Sequence, residues 1–207
     1  DLLMDLIQTQ EKLCWSFGRK RRSIAMGVYR AGELRYPIRY QAADPDAISF
    51  TPLPVDDSPA VSMSLREVLA KHPKGIEFGP IIASESRFPF LIDGDGQVLS
   101  MPPVINSAGL GSVIPDDNDL FVEVTGTDLH HLLLVASIVA CDLTDAGYAI
   151  HPVTTRYSYD TPFGREVTAP MLFQDPVRVE LSYVGKLLGE PVKADEALGY
   201  LRKAGVE

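Results

Sequence analysis

Residues 98–128, VLSMPPVINSAGLGSVIPDDNDLFVEVTGTD, decide how the rest of the chain is read. Gln97 to Ser100 forms an apolar strand that runs at once into Met101-Pro102-Pro103. Two successive prolines fix φ and lack N–H donors, so the strand must end there or lie on an edge. A loop rich in Gly, Ser and Asp follows, and Leu120 to Val124 reads as a second strand. Thr125-Gly126-Thr127-Asp128 then tips the chain into a long apolar helix, with Thr127 or Asp128 as its N-cap. Ser100, Asn106, Glu123, Thr125, Thr127 and Asp128 are the polar groups this stretch can aim at one place. A pocket with a few convergent polar groups is the usual form of a small-ligand site. A hairpin followed by a capped helix accounts for the same pattern.

Working outward, Phe88 to Ile92 pairs with the first strand across Asp93-Gly94-Asp95-Gly96, a hairpin turn by composition. The DxDxG spacing resembles a calcium loop, but no Glu follows at the twelfth position, so turn chemistry is preferred. Residues 1–17 carry Leu2, Leu3, Leu6, Ile7, Leu13 and Phe17 at helical spacing, and Gly18 stops that helix. Ser23 to Tyr29 and Ile38 to Ala42 read as strands, Asp44-Pro45-Asp46 as a turn, and Ile48 to Leu53 as extended. Ser62 or Ser64 caps a helix that ends at His72-Pro73-Lys74-Gly75, with Glu67 three residues after Ser64 completing a capping box and His72 as the C-terminal cap. Leu129 to Ala146 is apolar nearly all round and is expected to be buried. Ala149 to Tyr159 and Glu166 to Ala169 are the next strands, Arg178 to Leu181 a short one, and Ser182–Leu188 and Lys193–Lys203 helices.

The chain has 207 residues, a net charge of −9 and no apolar run near the roughly 18 residues of a membrane span. It begins at Asp1 inside a helical pattern, without an initiator Met or signal peptide, and is expected to be part of a longer polypeptide. Cys14 and Cys141 lack metal-spaced partners and read as buried structural thiols of a reduced, cytoplasmic protein. The acidic balance argues against coating nucleic acid by bulk charge. Between Lys12 and Arg39, however, eight basic residues face one acid, Glu33, a strip able to pair with phosphates.

No phosphate loop, HExxH, GxSxG or paired His and Cys is present, and His130 and His131 point to different helix faces, so no metal is expected. Hydroxyls, one carboxylate and a helix N-terminus remain. They can hold a water and stabilise an oxyanion without a covalent intermediate. Glu123 is then a general base or a partner for a substrate hydroxyl.

VLSMPPVINS followed by FVEVTGTD resembles the tRNA-editing domain of the phenylalanyl-tRNA synthetase beta subunit in its archaeal and eukaryotic form. QEKLCWSFGRKRRSIAMGVY, DPDAISFTPL, SLREVLAKHPKG and RVELSYVGKLLG extend the likeness along the whole chain. The resemblance implies an α+β fold with a β-sandwich-like mixed-sheet core and flanking helices over residues 1–170. Residues 171–207 would open the next, small helical domain. It also implies hydrolysis of tyrosine mischarged onto phenylalanine-specific tRNA. A site for phenylalanine excludes tyrosine poorly, whereas a site that hydrogen-bonds the phenol can reject phenylalanine by roughly 10⁴-fold or more.

Carried onto this chain, the family's pocket falls on Leu91 as apolar wall and on Ser100, Glu123 and Thr125 as the catalytic group. Pro102, Pro103, Asn106, Thr127, Asp128 and Gln10 would contact substrate, and Arg19, Lys20, Arg21 and Arg22 the tRNA. The nucleophile would be a positioned water, helped by the tRNA's terminal hydroxyl. No cofactor is implied for editing, and ATP with Mg only for the complete synthetase. The partners implied are the tRNA and an alpha subunit, in a heterotetramer of two alpha and two beta chains. Asp117-Asn118-Asp119 departs from the family's Thr-Arg-Asn-like run and would weaken docking of a phosphate. The rival readings are a scaffold or RNA-binding domain without catalysis, and a diverged small-molecule-binding paralogue.

Overall fold

The structure, a computed structural model, describes residues 2–56, 59–173 and 177–206. In chain order the main elements are α1 (Leu2–Trp15), β1 (Ile24–Arg30), β2 (Arg39–Ala43), β3 (Ser49–Phe50), β4 (Met63–Ser64), α2 (Leu65–Lys71) and α3 (Pro73–Phe78). There follow β5 (Phe88–Ile92), β6 (Val98–Met101), β7 (Ile105–Asn106), β8 (Leu120–Gly126), α4 (Leu129–Asp145), β9 (Val153–Arg156) and β10 (Glu166–Ala169). The last two are α5 (Leu181–Leu188) and α6 (Ala194–Lys203). The chain divides into two compact units, 1–171 and 172–207. The second unit carries α5 and α6.

The first unit is α+β, and its ladders are antiparallel among the described residues. β1 pairs with β8, β2-β5-β6-β7 form one sheet in that order, and β3–β4 and β9–β10 form two short pairs. Strand alternation explains the layering. Ile24, Met26 and Val28 of β1, with Val122 and Val124 of β8, pack on Leu6 and Cys14 of α1 and on Val135, Val139 and Leu143 of α4. The intervening residues of β1 and β8 face the other way. There Tyr29 and Phe121 meet Leu91 of β5 and Leu99 of β6 in a second cluster, which joins the two sheets face to face. A third cluster seats Leu65 and Val68 of α2 and Phe78 of α3 against Phe88, Phe90 and Met101. Each fully buried Leu or Val contributes roughly 1.5–3 kcal/mol, so this helix–sheet–sheet–helix stack is what holds β1, β6 and β8 in place.

Local signals behave as the residues dictate. Ser64 Oγ accepts from the Glu67 N–H at 3.2 Å, and Glu67 Oε2 accepts from the Ser64 N–H at 3.0 Å, closing the capping box. Asp93 is fully buried, and its carboxylate accepts from the backbone N–H groups of Arg35, Asp95 and Gln97 at 3.3, 3.0 and 2.8 Å. That carboxylate is the turn's internal cap. The double proline closes a tight turn from β6 into β7, with the Val104 N–H on the Met101 carbonyl at 2.8 Å.

Several expectations need correction. His72 ends α2 but also caps a further helix, α3: its Nδ1 accepts from the Lys74 N–H at 3.2 Å, and Pro73 suits the first helical position. α4 buries one face only, through Leu133, Val135, Val139 and Leu143, the stripe turned toward β1, β8 and α1. Ile138 and Cys141 are accordingly exposed, and only Cys14 is a buried thiol. The strand expected over 149–159 shortens to β9, and Pro152, which has no N–H to give a ladder, stands just before its first residue. Residues 178–180 pair with no strand among the described residues, and Leu181 already begins α5. No helix is long and apolar enough to cross a membrane among the described residues.

Candidate functional site

The ladder registers bring the polar residues together. Ser100 of β6 lies between Leu91 of β5 and Asn106 of β7, while Glu123 and Thr125 stand opposite Gly27 and Ala25 in the β1–β8 pair. Positions two apart share a face, so Glu123 and Thr125 point the same way. They line one cleft together with Ser100, Pro102, Pro103, Ile105, Asn106, Gly27 and Arg21. The free space inside the cleft is only about 20 Å³. That space accommodates about one water.

Tyr29, which the sequence did not single out, is the buried centre of the site. Its Oη lies 2.8 Å from Ser100 Oγ, 2.9 Å from Glu123 Oε2 and 3.5 Å from Asn106 Oδ1. Glu123 Oε1 is buried and has no hydrogen-bond partner among the described residues. Burial pushes the Glu123 carboxyl up from 4.5 to about 7, against the hydroxyls of Tyr29 and Thr125, which favour its charged form. Burial, and then the charge on Glu123, push the Tyr29 phenol well above its ordinary range. One signal for Tyr29 was legible: an isolated glycine inside the apolar strand SIAMGVY marks a close approach. A Cβ at Gly27 would lie 2.3 Å from Tyr29 Oη and 2.7 Å from Glu123 Oε2.

The other residues singled out from the sequence are placed as follows. Leu91 is buried beside Tyr29, behind the cleft and not on its surface. Gln10 ties α1 to β1 through a 2.8 Å bond from Nε2 to the Met26 carbonyl and does not line the cleft. Thr127 is exposed, and its N–H bonds the Ser23 carbonyl. Asp128 caps α4 by accepting from the His131 N–H at 3.1 Å, a bond that holds its carboxyl below the usual range. Neither of these two lines the cleft. Arg19, Lys20 and Arg22 are exposed, with Lys20 Nζ 4.6 Å from the centroid of the exposed Trp15 ring.

Arg21 turns inward instead. It donates to the carbonyls of Pro103 and Val104 at 3.4 and 3.1 Å, pairs with Glu11 at 3.2 Å and lies 4.3 Å above the Phe78 ring. It therefore clamps the double-proline turn to the α1–β1 loop. Asp117 bonds Arg30 at 3.0 Å and the Ile114 N–H at 2.8 Å, and the latter bond is the chief reason its carboxyl sits low. Among the described residues no group of three His, Cys, Asp or Glu is placed to hold a metal.

The first unit is thus an α+β stack with a hydroxyl- and carboxylate-lined cleft between two antiparallel sheets. The solved N-terminal fragment of the phenylalanyl-tRNA synthetase beta subunit from Pyrococcus horikoshii superposes with a TM-score of 0.84 at 37% identity, covering 95% of this chain and 54% of that one. No protein-family model matches. Phenylalanine-tRNA ligase beta subunits from Borrelia hermsii and Treponema pallidum are 41% and 43% identical over 205 and 190 residues, 99% and 92% of this chain. The chain is thus similar to these beta subunits along nearly all of its own length, and it spans 36% and 31% of the length of these two relatives.

Proposed function

We propose that residues 1–171 form a proofreading domain that hydrolyses the ester of tyrosine mischarged onto phenylalanine-specific tRNA. The observation that carries this reading is Glu123 Oε1, a buried acceptor without a partner, in a cleft shared with Ser100 and Thr125. Such an oxygen is stabilised by a ligand O–H, from a water or from a phenol, and phenylalanine offers no such donor. A carboxyl near pH 7 is also suited to act as a base. The water oxygen bonds to the ester carbonyl carbon and its proton passes to Glu123. The ribose oxygen leaves with the electron pair of its broken bond and takes that proton back. Thr125 and Ser100 hold the water and the ester.

In the same reading the exposed Arg19, Lys20 and Arg22 meet the tRNA backbone. The parent protein is an archaeal/eukaryotic-type beta subunit working in the cytoplasm with an alpha subunit, two of each. ATP and Mg serve aminoacylation in the complete synthetase, and editing needs neither. Ser100→Ala and Thr125→Val are each expected to abolish tyrosine release from mischarged tRNA while charging by the intact synthetase persists. Full hydrolysis by both variants rules the site out. Failure of a tyrosyl-adenosine analogue to bind in calorimetry would favour a scaffold.

A further inference from the structure

We infer that Tyr29 is a positioning residue that fixes the direction of a buried hydrogen-bond chain, Ser100 to Tyr29 to Glu123, and so makes both cleft-facing oxygens acceptors. The inference rests on the hydrolytic reading above and adds the group that decides which way the cleft's hydroxyls point.

Tyr29 is fully buried, and its oxygen lies 2.8 Å from Ser100 Oγ and 2.9 Å from Glu123 Oε2. A phenol has one proton, and an ionised carboxylate only accepts. The Tyr29 proton therefore goes to Oε2. The phenol oxygen then accepts, and the hydroxyl that reaches it is Ser100, whose own proton is committed inward. Asn106 does not reverse this, because the oxygen it brings near Tyr29 is also an acceptor and its amide donates to the Val28 carbonyl at 3.4 Å.

Toward the cleft, Ser100 presents lone pairs, and so does the unpartnered Glu123 Oε1. A water that gives one proton to each keeps its own lone pairs turned outward, which is what attack on an ester carbonyl requires. When Glu123 is protonated the chain can run backwards: Glu123 donates to Tyr29, Tyr29 to Ser100, and the Ser100 proton swings into the cleft. The site then offers a donor where the water needs an acceptor. Besides Tyr29, the titratable and charged groups around Glu123 are Arg21 in the cleft wall, Tyr40 of β2 and Cys14 of α1. None of these is hydrogen-bonded to its carboxylate among the bonds the described residues form.

The test is carried out on the whole chain with 13C-labelled glutamate carboxyls, following Glu123 by NMR titration in the wild type and in Tyr29→Phe, alongside single-turnover release of tyrosine from mischarged tRNA. Losing a donor to the carboxylate is expected to raise the Glu123 midpoint. It should cut the rate at neutral pH by about ten- to hundredfold, with apparent affinity within about twofold. The rate should recover in part as pH rises above the new midpoint. A residue that only fills space would lower stability and leave the pH profile where it was. An unchanged midpoint and rate profile in a folded Tyr29→Phe overturns the inference, even with Ser100→Ala inactive. Should that variant not fold, 3-fluorotyrosine inserted at position 29 keeps the ring and strengthens the donor, and the Glu123 midpoint must then fall. A wild-type chain that releases no tyrosine overturns the hydrolytic reading, and the carboxyl titration then decides the hydrogen-bond chain by itself.

Discussion

Gly27 stands opposite Glu123 in the β1–β8 ladder, and the space a side chain would need there is occupied by the hydrogen bond between Tyr29 and Glu123. Gly27→Ala therefore acts at a distance from its own backbone. The added methyl must push apart a pair held at 2.9 Å, inside a buried layer with little room to relax. We expect destabilisation of about 1–3 kcal/mol in urea unfolding and near-complete loss of tyrosine release. Wild-type rates in this variant would mean that the Tyr29–Glu123 pair has no part in the reaction.

The second prediction follows from the Glu123 carboxyl, raised by burial from 4.5 to about 7. The folded state binds this proton more tightly than the unfolded chain. The stabilisation it contributes is full below the unfolded pKa and is lost as pH climbs through about 7. The loss amounts to at most roughly 3.5 kcal/mol at about 1.4 kcal/mol per unit. Glu123→Gln removes the titration, so the stability of wild type relative to this variant should fall between about pH 4.5 and 8. Hydrolysis runs the other way and should rise with pH through the same midpoint, because the ionised form is the acceptor.

Leu91 separates stability from binding. It packs with Tyr29, Leu34, Leu99 and Leu110 and does not line the cleft. Leu91→Ala should cost about 2–5 kcal/mol of stability through the cavity it leaves. Its effect on hydrolysis should come through slackening of Tyr29, and so as a lower rate with little change in apparent affinity. A large affinity loss in a stably folded variant would put Leu91 against the substrate after all.

Arg21 and its basic neighbours should behave differently from one another. Arg21→Ala releases the carbonyls of Pro103 and Val104, and hydrogen exchange at the amides of the β6–β7 turn should accelerate. Replacing Arg19, Lys20 and Arg22 together by Ala should leave unfolding nearly unchanged, since all three are exposed. If they meet phosphates, tRNA affinity falls and the salt slope shrinks by about two at roughly 0.7 per contact. An unchanged slope moves the tRNA interface elsewhere on the surface.

Much of this was legible along the chain. The capping box at Ser64, the Asp93 turn with its bonds to Asp95 and Gln97, the break at Pro102-Pro103 and the strand-to-helix corner at Asp128 rest on bonds between residues within four positions of each other, which local chemistry dictates. The spacing Glu123-Val124-Thr125 was enough to put the carboxylate and hydroxyl on one face of β8. Burial was not legible in the same way. Leu129 to Ala146 is apolar nearly all round, yet α4 buries one stripe, because the number of layers around a helix is decided by what else packs there.

Sequence by itself determined the local conformations and the residue types the cleft could draw on, since these are set by backbone sterics and by hydrogen bonds between near neighbours. Only tertiary structure decided that Tyr29 lies between Ser100 and Glu123, 71 and 94 positions away, that Arg21 turns inward while Arg19, Lys20 and Arg22 stay out, and that Leu91 stands behind the wall. Those outcomes follow from the packing of two sheets whose facing residues come from distant parts of the chain. No local pattern encodes the register at which they meet.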